Sequence, residues 1–237
     1  MCYTKPSMNN FFLTSPLILQ TLIWPGTRFL LWFFGRLEVR GIENLKMLDG
    51  RGTIFAANHT SELDPILIPA LLPFLSRFMP MFYTSREPLF YTASGWRKFF
   101  YGGFLFEVWG SHPVFPGLRN YDLSLKNHLA LLSAGKSVCI FPEGRRTRDG
   151  VLQKGKGGVA YLAYATDAPI VPVAITGVFK ITPWQFFTGR RKIKIIFGAP
   201  LRRADLFPVS DGNPPSVTEC EAAAQIVMSK IAEILST

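Results

Sequence analysis

The sequence predicts an α/β fold: a mixed β-sheet flanked by helices, preceded by an N-terminal apolar helical hairpin that makes membrane contact. Three observations lead there. Across residues 37–237, short runs rich in β-branched and aromatic residues alternate with helical stretches. Two of those runs end directly in loops crowded with polar and charged side chains, as strands do at the rim of an open sheet. Residues 11–34 instead carry more large apolar side chains than one helix face can bury. The boundary is drawn at residue 36, with residues 1–36 as a membrane-associating segment and 37–237 as the α/β domain.

In the stretch "FFLTSPLILQTLIWPGTRFLLWFF", Pro16, Gln20, Pro25-Gly26 and Arg28 interrupt the run of about 20 apolar residues that a spanning helix requires. Two short helices joined at the Pro-Gly pair are expected, with Trp24, Arg28, Trp32 and Arg36 at lipid headgroups. A secretory signal fits poorly, because only Lys5 precedes the stretch and no small-residue cleavage site follows.

"GTIFAAN" (52–58) reads as a buried strand. Asp64-Pro65 then reads as a helix start, Asp at the N-cap and Pro at the first position. "MFYTS" (81–85) is a strand, "EPLFYTASGWRKFFYGG" (87–103) a helix, and "FLFEVW" (104–109) a second strand. Leu125, Leu129 and Leu132 mark a helix that stops at Gly135, with His128 on its polar, solvated face. His112 stands before a proline in a loop. "SVCIF" (137–141) is a buried strand. A small-residue helix follows in "GGVAYLAYATDA", and then the strand "PIVPVAITG" (169–177), which Pro172 assigns to an edge or a bulge. "RKIKIIFG" is a half-exposed strand, "FPVSDGNPPS" (207–216) a surface loop. The last helix opens on a capping box, Ser216 to Glu219, and buries Ala223, Val227, Ile231 and Ile234.

Composition narrows the function classes. A formal net charge of +10 favours anionic partners, and 18% charged residues is low for a freely soluble domain. Basic and aromatic residues together point to a membrane surface. Nucleic-acid binding would need basic residues interleaved with stacking aromatics on one strand face, which "RKIKIIF" only half supplies. The three cysteines, Cys2, Cys139 and Cys220, form no C-x-x-C, so a reducing compartment fits and a disulfide framework does not. That compartment also removes meaning from the sequon Asn58-His59-Thr60.

"NHTSELDP" (58–65) places His59 just past a buried strand and Asp64 five residues on. An imidazole suits proton abstraction near neutral pH, and a carboxylate orients it and stabilises its cation. On one continuous helix the two would lie about 140° apart. Their meeting therefore depends on the turn, and the alternative is a plain N-cap beside a polar loop residue. No third ligand at a plausible spacing supports a metal. "FPEGRRTRDG" (141–150) follows another buried strand and carries Glu143, Arg145, Arg146 and Arg148 around Gly144; arginine forks suit phosphate, and a charged solvated turn is the competing reading. "GVLQKGKG" (150–157) approaches a phosphate-binding loop, but Gly157 stands where a magnesium-binding Ser or Thr is needed.

Taken in order, Asn58, His59 and Asp64, then Phe141 to Gly144 with Arg146 and Thr147, then Val171 to Ile175, resemble the blocks of the glycerolipid acyltransferase family. Its members include 1-acylglycerol-3-phosphate and glycerol-3-phosphate acyltransferases. "SREPLF", "GKGG" and "FGAPL" are shorter echoes, and the resemblance covers roughly residues 35–235. It implies a membrane-associated O-acyltransferase on the cytoplasmic face, moving an acyl group from acyl-CoA or acyl-ACP to 1-acylglycerol 3-phosphate, with no cofactor beyond that thioester. His59 and Asp64 become the catalytic pair. Arg146 and Arg145 would hold the acceptor's phosphate, Glu143 would brace the arginines or bind an acceptor hydroxyl, and Gly144 and Thr147 belong to the same substrate loop. The resemblance fails at Trp109, where an arginine is expected. Arg119, His112 or Arg145 would then substitute, or the acceptor differs: glycerol 3-phosphate, another lysophospholipid or an amino-acid lipid. A basic membrane-binding module without turnover is the alternative of another class. Without a G-x-S-x-G elbow, direct transfer is expected, and Cys139 is expected in the core.

Overall fold

The structure is a computed structural model. It describes residues 10–49, 52–85, 104–115, 120–208 and 213–237. The helix expected over 87–103 lies outside the described residues, as do the "SREPLF" echo beyond Ser85, Arg119 and part of the 207–216 loop.

One sheet organises the chain. Its strands are β1 (Glu38–Arg40), β2 (Ile54–Ala57), β3 (Met81–Ser85), β4 (Ser111–Pro113), β5 (Ser137–Ile140), β6 (Ile170–Thr176) and β7 (Lys194–Phe197). They stand in the order β1-β7-β6-β2-β5-β3-β4. Every neighbouring pair is parallel except β6–β7. Parallel strands need crossovers and covered faces, which is why the sequence alternates strand with helix. The helices are α1 (Asn10–Phe33), α2 (Asp64–Leu71), α3 (Phe104–Val108), α4 (Tyr121–Ser124), α5 (Lys126–Ser133), α6 (Gly158–Thr166), α7 (Pro183–Phe187), α8 (Arg203–Leu206) and α9 (Val217–Leu235). On one face, Ile54, Ala56, Val138 and Ile140 pack against α5, α6 and α9. On the other, Phe55, Ala57, Cys139 and Val171 pack against α1 and α2. Each fully buried Ile, Leu or Phe contributes roughly 1.5–3 kcal/mol by leaving water. The C-terminal capping box forms as the sequence requires, and Ala223, Val227 and Ile231 are buried while Ile234 is half-buried. Cys139 is core, and burial followed by the charge of Asp64 pushes its thiol well up.

Four expectations are corrected and one is narrowed. Residues 10–33 form one helix, not two, and contain both prolines. The polar residues that break the hydropathy are tertiary anchors on either side of Pro25. The Gln20 amide donates to the carbonyls of Met81 (2.8 Å) and Trp109 (3.1 Å) and accepts from Met81 N–H (2.9 Å). Trp24 Nε1 donates to the carbonyl of Leu72, and Arg28 donates to those of Ala70 and Leu71. Trp24 and Arg28 thus satisfy the open C-terminal carbonyls of α2. Among the described residues, no helix is long and apolar enough to cross a membrane.

Residues 104–108 are helical, not a strand; a short apolar run carries no period that separates the two. Gly110, at φ +103, turns the chain into β4 where a Cβ would press on Met81 O and Pro16. His112 lies in that strand, not in a loop. His128 is fully buried, its Nε2 3.2 Å from the carbonyl of Tyr83, so the face of α5 read as solvated is inside. Finally, β6 is an interior strand, so Pro172 marks no edge; it sits at the other place expected for it, a one-residue offset between the Val173–Phe197 and Ile170–Leu201 pairs. Its missing N–H points to the β7 side at the gap between the ladder from Val173 and the Ile170–Leu201 bridge, while its carbonyl accepts from Gly198 N–H.

Candidate active site

β2, β5 and β6 are adjacent and parallel, so their C-terminal ends share one rim. The loops after β2 and β5 therefore meet although 84 residues separate His59 from Glu143. Asn58 makes the departure from β2 possible. Its side-chain amide donates to the Ile175 carbonyl (2.9 Å) and accepts from Ile175 N–H (2.7 Å), replacing the next rungs of the ladder as the main chain turns away.

His59 is held on every side. Its N–H donates to Glu143 Oε1 at 2.7 Å, and its carbonyl accepts from Thr147 N–H at 2.9 Å. The ring stacks on Phe141, centroids 4.1 Å apart and planes 18° apart. Nδ1 lies 2.8 Å from Asp64 Oδ2. An ionised carboxylate only accepts, so Nδ1 carries the proton and Nε2 is left basic.

Asp64 is fully buried and is the first residue of α2, with Leu63 at the N-cap. It does not cap its own helix, as the Asp-Pro pair implies. Its Oδ2 also accepts from the N–H groups of Thr60 (2.7 Å) and Ser61 (2.8 Å), so the loop wraps around the carboxylate. The turn thus solves the 140° separation: the chain between the pair is not helical.

Glu143 is engaged by main-chain N–H groups, not by the arginines it was expected to brace. One oxygen accepts from His59 N–H, and the other from Gln153 N–H at 2.9 Å. It is buried behind the loop on a small cavity and meets no arginine there. Burial pushes its carboxyl up, against the pull of those two N–H groups. It fixes the His59 main chain. Thr147 acts in the same layer: besides its N–H bond to His59, its hydroxyl accepts from Gly150 N–H and lies 2.8 Å from Asp149 Oδ1. Gly144, at φ +68, allows the Lys156 side chain to lie against the main chain, where a Cβ would clash with Lys156 Cε and Nζ.

A cleft of about 2040 Å³ opens at this rim, above the roughly 300–1,000 Å³ usual for small ligands. Its lining combines His59 with the cations Arg145, Arg146, Arg148, Lys156 and Lys180 and with the rings of Tyr83, Phe106, Trp109 and Tyr121. Arg146 reaches Glu62 at 2.6 Å, both half-exposed. Trp109, the departure from the expected arginine, lines the cleft, as does Arg145; His112 is not among the described lining residues. Sequence reasoning singled out Lys156 only within the "GKGG" echo, and it missed the Phe141 ring under His59, the Asn58–Ile175 pairing and the cleft-lining residues Val178 to Ile181. Phe141 and Asn58 are themselves residues of the matched blocks, but the blocks did not say what their side chains do. Nothing local marks residues 178–181.

A family model described as Acyltransferase matches residues 36–176. A chloroplastic 1-acyl-sn-glycerol-3-phosphate acyltransferase of Brassica napus is 30% identical over 182 residues, 73% of this chain and 48% of its own. The human 1-acyl-sn-glycerol-3-phosphate acyltransferase beta is 30% identical over 173 residues, 71% of this chain and 58% of its own. The chain spans about half the length of the plant relatives it matches. Among solved structures, the 1-acyl-sn-glycerophosphate acyltransferase PlsC of Thermotoga maritima shares the fold, with a TM-score of 0.58 at 19% identity over 93% of this chain and 81% of that one. The blocks expected from residues 58–64, 141–147 and 171–175 all fall inside the matched range, and the chain belongs to the acyltransferase family.

Proposed function

We propose that this protein moves a fatty acyl group from acyl-CoA or acyl-ACP to the free hydroxyl of 1-acylglycerol 3-phosphate, giving phosphatidic acid, at the cytoplasmic face of a membrane. The observation that carries this reading is the His59–Asp64 pair, 2.8 Å apart, opening on a cleft lined by both cations and aromatic rings. His59 Nε2 removes the acceptor hydroxyl proton while Asp64 stabilises the imidazolium. The alkoxide attacks the thioester carbonyl, the C–O bond forms and the C–S bond breaks. The departing thiolate takes the proton from His59. No acyl-enzyme is required, and the thioester is a co-substrate, so the reading needs neither metal nor cofactor.

Arg146 and Arg145 hold the acceptor phosphate, with Gly144 and Thr147 shaping their loop. Residues 37–237 act as the catalytic domain, and residues 1–36 attach it to lipid. The exposed stripe Phe11, Ile18, Leu22, Phe29 and Phe33 along α1 supports that attachment. A second reading, an acceptor without a phosphate monoester, is favoured by Trp109, which lines the cleft at the position where an arginine was expected. Thiol release from acyl-CoA across a panel of acceptors separates the two. His59→Ala abolishes release with the fold kept, because its main-chain partners remain. Turnover by that variant at the wild-type rate sinks the mechanism.

A further inference from the structure

Between β6 and β7 the residues "TPWQFFTG" build a second apolar surface. Thr182 caps α7 by accepting from Gln185 N–H, Gln185 returns to Thr182 N–H, and Pro183 presets the first turn. Gly189, at φ +62, follows its end. Both ends are thus set locally, and none of its five residues is fully buried. Phe186 and Phe187 pack on Phe34, centroids 6.2 and 5.1 Å away, which ties α7 to the end of α1. Trp184 and Phe187 remain 66% and 54% exposed, beside Trp32 and Phe33 at 66% and 59%. Two elements distant in sequence therefore present one aromatic patch, larger than isolated surface side chains account for. Arg36 and Arg190, both exposed, flank it, and neither forms an ion pair among the described residues.

The patch is coupled to the cleft. Val178 to Ile181 line the cleft and lead directly into Thr182. Beyond the helix, the Arg191 guanidinium donates to the Phe179 carbonyl at 2.5 Å, closing the excursion on itself. We propose that α7 is a second interfacial anchor. Trp184 and Phe187 enter the headgroup–acyl boundary of an anionic bilayer, and Arg36 and Arg190 meet lipid phosphates. The Val178–Ile181 wall is thereby held against the lipid in which a lysophospholipid acceptor is dissolved. This rests on the membrane attachment proposed for α1; α1 supplies affinity, and α7 fixes how the cleft faces the surface.

The test uses the full chain and vesicles of phosphatidylcholine mixed with phosphatidylglycerol. Trp184→Ser/Phe187→Ser is compared with Ile18→Ser/Leu22→Ser on α1. The α7 variant is expected to bind vesicles roughly tenfold more weakly. It should lose turnover of a long-chain lysophosphatidic acid held in them by a similar factor, and keep turnover of a short-chain, monomeric analogue. The emission that Trp184→Phe removes, taken as the difference from wild type, should be quenched by brominated lipid, beyond any quenching of Trp32 that the variant retains. Unaltered vesicle binding by the α7 variant, equal loss on both acceptors, or Trp184 emission that lipid does not quench overturns the inference. Wild type that fails to bind vesicles at all overturns the membrane reading itself, a result distinct from wild-type binding that α7 does not influence.

Discussion

Asp64→Asn isolates the charge of the carboxylate from its shape. Oδ2 of Asp64 accepts from His59 Nδ1, Thr60 N–H and Ser61 N–H, and an asparagine oxygen accepts the same three. The other oxygen, Oδ1, is buried without a hydrogen-bond partner, so an amide NH2 placed there displaces no donor. The loop should keep its course and the melting temperature should fall little. What disappears is the attraction between a buried anion and the imidazolium that exists only during proton transfer. At a charge separation of about 4 Å and an effective dielectric near 20, that attraction is about 4 kcal/mol. At about 1.4 kcal/mol per decade, kcat drops roughly a thousandfold with KM nearly constant. Continuous thiol release at saturating acyl-CoA and acceptor measures it. A variant within a few-fold of wild-type kcat, melting at the same temperature, refutes imidazolium stabilisation by Asp64.

Other outcomes follow from the same contacts. Arg146→Ala should raise the KM for a phosphate-bearing acceptor about 10- to 100-fold and barely change stability, because its half-exposed pair with Glu62 is worth little; an unchanged KM removes Arg146 from phosphate binding. Glu62→Gln, which releases that guanidinium, should leave KM equal or lower it, and a rise counts against the assignment. Gly157→Ala places a Cβ onto the Tyr121 hydroxyl and Cys220 and should cost about 1–3 kcal/mol in denaturant unfolding; a neutral result means α4 and α9 move apart freely. His112 and His128 are held down to about 4 by burial, below the usual 6.5. The unfolded chain therefore binds more protons between those values, and stability falls as pH drops through 6.5 towards 4, by up to about 3 kcal/mol per histidine. A melting temperature that stays flat from pH 7 to pH 5 contradicts their burial as neutral rings.

Strand runs at 54–57, 81–85, 137–140 and 170–176 were legible because β-branched and aromatic residues crowd them, and the last helix because its cap and its buried stripe agree. The misreadings have two causes. The run 104–108 is too short to carry a period, and the prolines of α1 were judged by a local rule although contacts distant in sequence hold that helix. Gln20 is the clearest case: a break in hydropathy by pattern, it is a buried clamp on the backbone of Met81 and Trp109.

The residue types of the site belong to the sequence: an imidazole and a carboxylate five apart, and arginines around a glycine after a second buried run. Whether they meet does not. A carboxylate beside a proline has the same local chemistry as a helix cap or as a partner for histidine, and only the turn through Ser61 and Leu63 selects the partner. Glu143 shows the larger limit. Its hold on the His59 main chain exists because β2 and β5 lie parallel and adjacent, and strand order is set by the packing of both sheet faces at once, which no window of neighbouring residues encodes.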